Sequence, residues 1–241
     1  MNTINIDILE TIIKYLSHRD IFSINILSND MHNMFKCIEV NDIQKWVGHV
    51  DILKKYSFKN IKIKNKEVIK CLTMENKKEL KLDKIHYLNL TDTEIQDVSA
   101  LGDVRILYLG RTKVKDVCSL SNVNVLELSY TDVIDVNSLG NVYYLDLSFT
   151  KVKDVSALGN VNVLNLSYTQ VIDVSPLYNV RYLYLHGSTV TDVIALGNVH
   201  TLDLSNTKVT DVSFLGKVHT LNLSDTKVRD VSALGNVHTL N

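Results

Sequence analysis

Val142-Tyr143-Tyr144-Leu145-Asp146-Leu147-Ser148-Phe149-Thr150-Lys151-Val152-Lys153-Asp154-Val155-Ser156-Ala157-Leu158-Gly159-Asn160 is followed at once by Val161-Asn162-Val163-Leu164-Asn165-Leu166-Ser167-Tyr168-Thr169, the same pattern 19 residues on. Working outward, Leu88, Leu107, Leu126, Leu145, Leu164, Leu183, Leu202, Leu221 and Leu240 recur at that interval. A second leucine stands two residues after each of the first eight, and an aspartate nine residues after each, from Asp97 to Asp230. One unit reads V-x-x-L-x-L-S-x-T-x-V-x-D-V-S-x-L-G-N. Eight full units run from Ile85 to Asn236, and a ninth begins at Val237. A fixed period of this length marks stacked supersecondary units, each too small to bury its own apolar face.

Each column predicts a local structure. Alternation in x-L-x-L places the leucines on one face of a short strand and the variable residues on the other, so successive units pair as one parallel sheet. Asp before Val-Ser-x-Leu has the chemistry of a helix N-cap, its carboxylate accepting backbone N–H groups two and three residues on and starting a single helical or 3-10 turn. Pro176 falls just inside such a turn. The Gly and Asn that close the unit predict permissive backbone angles before the next strand. The fold class is therefore an α/β solenoid: a leucine-rich-repeat array at the short end of that class, with one parallel sheet and short 3-10 or extended turns on its convex side. The units resemble the internalin-style class of leucine-rich repeats, in which N-x-I-x-D-I-x-x-L occupies the place of Thr-x-Val-x-Asp-Val-x-x-Leu here. The resemblance implies that the Thr column, from Thr93 to Thr226 with Ser188 standing in once, does part of the work of a buried Asn that bonds to neighbouring backbone turns. A solenoid ends in a polar cap, whereas this chain stops inside a strand. A frayed end, a truncated product or an edge covered by a partner is expected.

Upstream the period changes. Ile8, Leu9, Ile12, Ile13 and Leu16 fall at helical spacing after Asp7; Asp20 precedes Ile21, Ile24 and Leu27; Asn29 and Asp30 precede Met31, Met34 and Phe35. This spacing predicts three short helices within 1–47, the first apolar on two faces. The stretch Ile4-Asn5-Ile6-Asp7-Ile8-Leu9, continuing through Ile12, Tyr15, Leu16, Asp20 and Ile21 to Leu27-Ser28, resembles the F-box, with Asn5 where that family usually has Pro. An F-box joined to such repeats is the build of substrate-recognition subunits of cullin-RING (SCF-type) ubiquitin ligases. The resemblance implies that Ile6, Ile8, Leu9, Ile12, Ile13, Leu16 and Ile21 meet a Skp-type adaptor of a cullin complex, while the repeats hold a protein substrate. Chains of this composition and architecture also resemble those encoded by giant DNA viruses of amoebae, which would make the adaptor a host protein. The alternative is a helical cap whose task is to cover the first repeat, leaving a plain protein-interaction scaffold. Between the two regions, 48–84 is a Lys-rich linker or a set of degenerate repeats; residues 50–84 hold 11 Lys against 5 Asp and Glu. The boundaries are thus 1–47, 48–84 and 85–241.

On the strand face opposite the core leucines, just before, between and two after them, lie Tyr108, Glu127, Tyr130, Tyr144, Asp146, Phe149, Tyr168, Tyr182, Tyr184 and Asp203. Contiguous exposed aromatics mark partner surfaces, and this patch is the candidate substrate-binding face. His200, His219 and His238 share one column, but no carboxylate or thiolate accompanies them there, and copying of one repeat explains them better than a metal. The Asp column likewise repeats without a nucleophile or base, so no catalytic residue, cofactor or metal is expected. Three widely spaced cysteines, Cys37, Cys71 and Cys118, without C-x-x-C spacing, argue against a disulfide framework or a zinc site. With a net charge of -1 and no run of eighteen apolar residues, the expected setting is cytoplasmic or nuclear, without membrane or nucleic-acid partners.

Overall fold

The computed structural model describes residues 86–241 throughout and the backbone of 39–40 and 60–63. Its strands are β1 (Glu39–Val40), β2 (Asn60–Ile63), β3 (Tyr87–Asn89), β4 (Ile106–Tyr108), β5 (Val125–Glu127), β6 (Tyr144–Asp146), β7 (Val163–Asn165), β8 (Tyr182–Tyr184), β9 (Thr201–Asp203), β10 (Thr220–Asn222) and β11 (Thr239–Leu240). They form one sheet in chain order. Every pairing is parallel, and from β3 onward the register is one whole unit: Leu88 faces Leu107, Leu145 faces Leu164 and Leu202 faces Leu221. The helical stripe read in 1–47 and the Lys-rich segment lie outside the described residues, apart from β1 and β2.

Six aliphatic positions per unit build the core. In the second unit these are Val104, Leu107, Leu109, Val114, Val117 and Leu120, all essentially without solvent contact, and the same columns are buried through the seventh unit. The leucine pair points inward from the strand, the valines line the return path, and the last leucine caps the turn on the far side. No unit could close this core alone, because each apolar side chain is covered by the equivalent side chains of its neighbours. In the eighth unit the cover thins: Val218, Leu221 and Leu234 are buried, but Leu223 and Val228 are half-buried and Val231 is 51% exposed, as is 45% of Leu240 in the ninth.

The far side carries short 3-10 turns at Cys118–Leu120, Asn137–Leu139, Ser156–Leu158, Ser175–Leu177, Ile194–Asn198 and Ser232–Leu234. Pro176 sits in the first residues of its turn. Two expectations are corrected here. Where a 3-10 turn follows, the Asp stands one residue ahead of the N-cap, which is a valine, and bonds to the amide two residues on, as in Asp154 Oδ1 accepting from Ser156 N at 2.9 Å. This is an Asx turn that presents the chain to the 3-10 turn rather than a cap on it. The glycines closing the units do not need unusual angles either, since Gly140 and Gly159 have φ near -60°. They are small because the next turn presses on them: a Cβ on Gly159 would stand 2.6 Å from the Pro176 carbonyl oxygen.

Candidate functional site

The left-handed backbone lies elsewhere, at the corner that follows each of β3 to β10. Asp92, Arg111, Tyr130, Phe149, Tyr168, Gly187, Asn206 and Asp225, one per unit, all have φ between 54° and 63°. Several bonds force this shape. The residue's amide continues the sheet ladder, as when Tyr130 N donates to the Ser148 carbonyl of the next unit at 3.0 Å. The chain then turns back so that Thr150 N and Oγ1 both donate to the Leu147 carbonyl, at 3.2 and 2.6 Å. A turn of this kind favours Gly or Asn at its third position. The Thr hydroxyl therefore closes its own unit's corner and does not bridge to the neighbouring unit. This differs from the role expected of it; hydroxyls elsewhere in the unit make the bridge instead, as Ser119 Oγ does to the Val98 carbonyl at 3.2 Å.

The outward residue at the end of the strand secures the same corner from the other side. Asp146 Oδ1 accepts from Ser148 N at 2.8 Å, Asn165 Oδ1 from Ser167 N at 3.0 Å, and Asp203 Oδ1 from Ser205 N at 2.9 Å. Tyr108 has no such acceptor, and Glu127 compensates. Its Oε1 takes Ser129 N and its Oε2 reaches back to Gly110 N, both at 2.8 Å. A Cβ on Gly110 would stand 2.5 Å from that carboxylate, so any side chain there would displace Glu127 from this bond. Glu127, Asp146 and Asp203 are thus turn residues as well as surface charges.

Of the predicted face residues, Tyr108, Glu127, Tyr144, Asp146, Tyr182, Tyr184 and Asp203 occupy outward strand positions of β4 to β9. Burial pushes the Tyr144 phenol above its ordinary value, with Asp146, Tyr108, Glu127 and Tyr184 adding to the effect, which places these groups in one electrostatic neighbourhood. Burial does the same for Tyr108, reinforced by Tyr87 and Glu127. Both phenols therefore stay neutral hydrogen-bonding groups at ordinary pH.

Tyr130, Phe149 and Tyr168 form a separate feature. They sit in the left-handed corners along the C-terminal margin of the sheet and stack on one another, with ring centroids 4.2 and 4.4 Å apart and planes within 9° and 21° of parallel. They remain 47%, 40% and 42% exposed. Two residues that sequence reasoning missed close the stack. The Arg111 guanidinium lies 4.9 Å over the Tyr130 ring, and His186 meets Tyr168 edge-on, its Nε2 2.7 Å from the phenol oxygen and its Nδ1 2.7 Å from Ser205 Oγ. The signal for Arg111 was its column, shared with the three rings; His186 sits one position earlier and gave none. Large side chains in this conformation cost on the order of 1–3 kcal/mol each, and the ring pairs return about 0.5–1.5 kcal/mol each.

His200, His219 and His238 stack in a ladder of their own, centroids 4.6 and 4.7 Å apart. Among the described residues no group of His, Cys, Asp and Glu is arranged to hold a metal ion. Cys118 is exposed at the start of its turn.

No protein-family model matches the chain, and no curated protein matches it significantly in sequence. Solved structures do. Internalin C2 of Listeria monocytogenes superposes with a TM-score of 0.59 at 28% identity, over 68% of this chain and 83% of that one. The internalin InlF of the same organism gives 0.58 at 21% identity, over 87% and 71%, and a leucine-rich-repeat protein of Leptospira interrogans gives 0.57 at 22%, over 68% and 50%. With the 19-residue unit, the single parallel sheet and the 3-10 returns, these likenesses identify the fold as a leucine-rich-repeat solenoid.

Proposed function

We propose that this chain is a non-enzymatic recognition subunit whose open sheet face holds a protein ligand. The carrying observation is the composition of that face: of the sixteen outward positions on β3 to β10, five are tyrosine, three are carboxylates and none is Lys or Arg. Tyrosine is the residue type that interfaces concentrate, because it offers a large rigid contact area with a polar tip. The eight strands, at about 4.8 Å each, make a face about 40 Å long, the scale of a standard protein interface.

The resemblance of the stretch from Ile4 to Ser28 to an F-box supports a finer reading. In it Ile6, Ile8, Leu9, Ile12, Ile13, Leu16 and Ile21 dock a Skp-type adaptor, a cullin complex supplies the catalysis, and this chain contributes proximity between substrate and ligase in the cytoplasm. If the gene is viral, as its likeness to chains from giant DNA viruses suggests, that adaptor belongs to the host. The test is a pull-down of the full chain with purified Skp-type adaptor and cullin beside an Ile8→Asp/Leu16→Asp variant, with circular dichroism to verify the solenoid. Binding lost only in the variant supports the adaptor reading, whereas binding by neither, or equally by both, refutes it.

One observation favours a scaffold whose N-terminal segment only covers the repeats. β1 and β2 continue the sheet, with Val40 beside Ile63 and Ile61 beside Leu88, so residues upstream of the first clear repeat pair as solenoid strands. Under this reading neither protein in the pull-down binds the adaptor.

A further inference from the structure

The corner column separates what the fold needs from what the surface displays. Four units fill it with Asp92, Gly187, Asn206 and Asp225, residues suited to positive φ, and these corners close with the same ladder bonds as the others: Asp92 N to the Gly110 carbonyl at 2.9 Å, Asn206 N to the Ser224 carbonyl at 2.8 Å. The fold is satisfied without aromatics there. Three consecutive units nevertheless hold large rings in that conformation, stacked and more than a third exposed. The ridge borders the strand face, and each of Glu127 and Asp146 stands three residues before a ring of its own unit.

Charge identifies what fits beside it. Among the described residues, Glu127, Asp146 and Asp203 face no Lys or Arg, whereas Glu94 and Asp132, outside the strands, pair with Lys113 and Lys151 at 2.6 and 2.7 Å. Glu127 accepts two backbone amides, Asp146 the Ser148 amide and the Asn165 side-chain amide, and Asp203 the Ser205 amide and hydroxyl; each keeps lone pairs free, because an ionised carboxylate has about four acceptor sites. Tyrosine rings of this surface already draw guanidinium groups onto their faces, Arg111 over Tyr130 and Arg181 over Tyr182 at 5.5 Å.

We propose that the aromatic ridge and the neighbouring carboxylates form one docking surface for an extended partner segment bearing several Arg or Lys side chains. Their aliphatic stems lie along the ring edges, and their charged heads reach Glu127, Asp146 and the phenol oxygens. This rests on the protein-binding reading above and adds the partner's chemistry.

The test measures fluorescence anisotropy of the full chain with a labelled alternating Arg-Ser peptide of about 12 residues, about 40 Å when extended, against a matched Glu-Ser peptide. Binding is read at about 50 mM and about 300 mM salt. The informative variant is Tyr130→Asn/Phe149→Asn/Tyr168→Asn, which keeps the net charge and places in each corner the residue that Asn206 already shows to be compatible; thermal unfolding checks its fold. The Arg-Ser peptide binds, more weakly at high salt, and the Glu-Ser peptide does not. Affinity for the Arg-Ser peptide drops at least tenfold in the triple variant, and independently in Glu127→Gln/Asp146→Asn. An Arg-Ser peptide that fails to bind, or that binds the triple variant as tightly as the parent, overturns the inference. A Glu-Ser peptide that binds through the ridge overturns the cationic partner while leaving protein binding intact. The adaptor pull-down is decided separately from all of these.

Discussion

The Thr column offers a sharp test of how each unit is closed. In seven units the hydroxyl is buried or nearly so and donates to the leucine carbonyl three residues back, at 2.6 to 2.7 Å. Thr150→Val keeps the shape and deletes that donor. The Leu147 carbonyl retains only the longer bond from Thr150 N, 3.2 Å, so the loss is the net value of one hydrogen bond, about 0.5–1.5 kcal/mol. In a folded region of this size that is a fall of roughly 2–4 °C per kcal/mol in midpoint. Ser188 provides the reverse perturbation. It is buried in the same column, but its hydroxyl has no hydrogen-bond partner among the described residues, although its amide donates to the Leu185 carbonyl at 3.0 Å. Ser188→Thr restricts the rotamer, lets the oxygen donate to that carbonyl as in the other units, and buries a methyl group worth about 0.8 kcal/mol. It should stabilise by about 1–2 kcal/mol in all. Thermal and urea unfolding followed by circular dichroism on both single variants and their combination reads these changes. The reasoning is refuted if Thr150→Val unfolds with the parent or if Ser188→Thr unfolds below it.

Further outcomes follow from the same geometry. Glu127→Ala strips the acceptor from Ser129 N and Gly110 N and should cost about 1–3 kcal/mol in urea unfolding. Gly110→Ala drives a methyl group into the Glu127 carboxylate, so the double variant should recover part of the single loss, a coupling of about 0.5–3 kcal/mol in a mutant cycle. Leu145→Ala, at a fully buried position in the central unit, should cost about 2–5 kcal/mol and shift the whole array's transition, not one unit's. The backbone amide and then the side chain two residues on hold Asp116, Asp154, Asp211 and Asp230 below the usual carboxylate range; for Asp173 the Ser175 hydroxyl leads and its amide follows. A folded value below the unfolded one stabilises above the unfolded pKa and is lost as pH falls through the folded value. The unfolding midpoint should therefore be level near neutrality and decline below about pH 4, with a shallower decline in Asp154→Asn/Asp173→Asn. A pH-independent midpoint, or one rising in acid, would contradict the assignment.

The repeat was legible because it is written in the strongest sequence signal a chain can carry, a fixed period with leucines two apart. That alone gives the strand, its inward face, the parallel register and the core columns from Val104 to Leu221. What the period could not give is which of two bonding arrangements a polar column uses. An Asp followed two residues later by Ser reads equally as an N-cap or as an Asx turn. The Gly column reads as backbone freedom when its reason is the approach of the next unit's carbonyl, a contact between residues seventeen apart. The candidate site was half visible. Tyr108, Tyr144 and Tyr184 follow from strand alternation, whereas Tyr130, Phe149 and Tyr168 seemed to share that face until the corner separated them from it. Positive φ at a Tyr or Phe runs against local propensity, so no single-residue preference announces the ridge; the ladder and turn bonds force the shape, and stacking between units offsets part of its cost. Arg111 and His186 became part of the site through those same contacts.

The central claim is that recognition occurs on the open sheet face and its aromatic margin. Photo-crosslinking tests it most directly, with a benzophenone side chain placed in turn at Tyr144 on the sheet, at Phe149 on the ridge, and at exposed Tyr178 behind its 3-10 turn, in the full chain expressed in its native cell. The account predicts the same covalently captured protein at Tyr144 and Phe149, lost on Glu127→Gln/Asp146→Asn, and none of it at Tyr178. Capture of that protein at Tyr178 alone, or equally at all three positions, would contradict it.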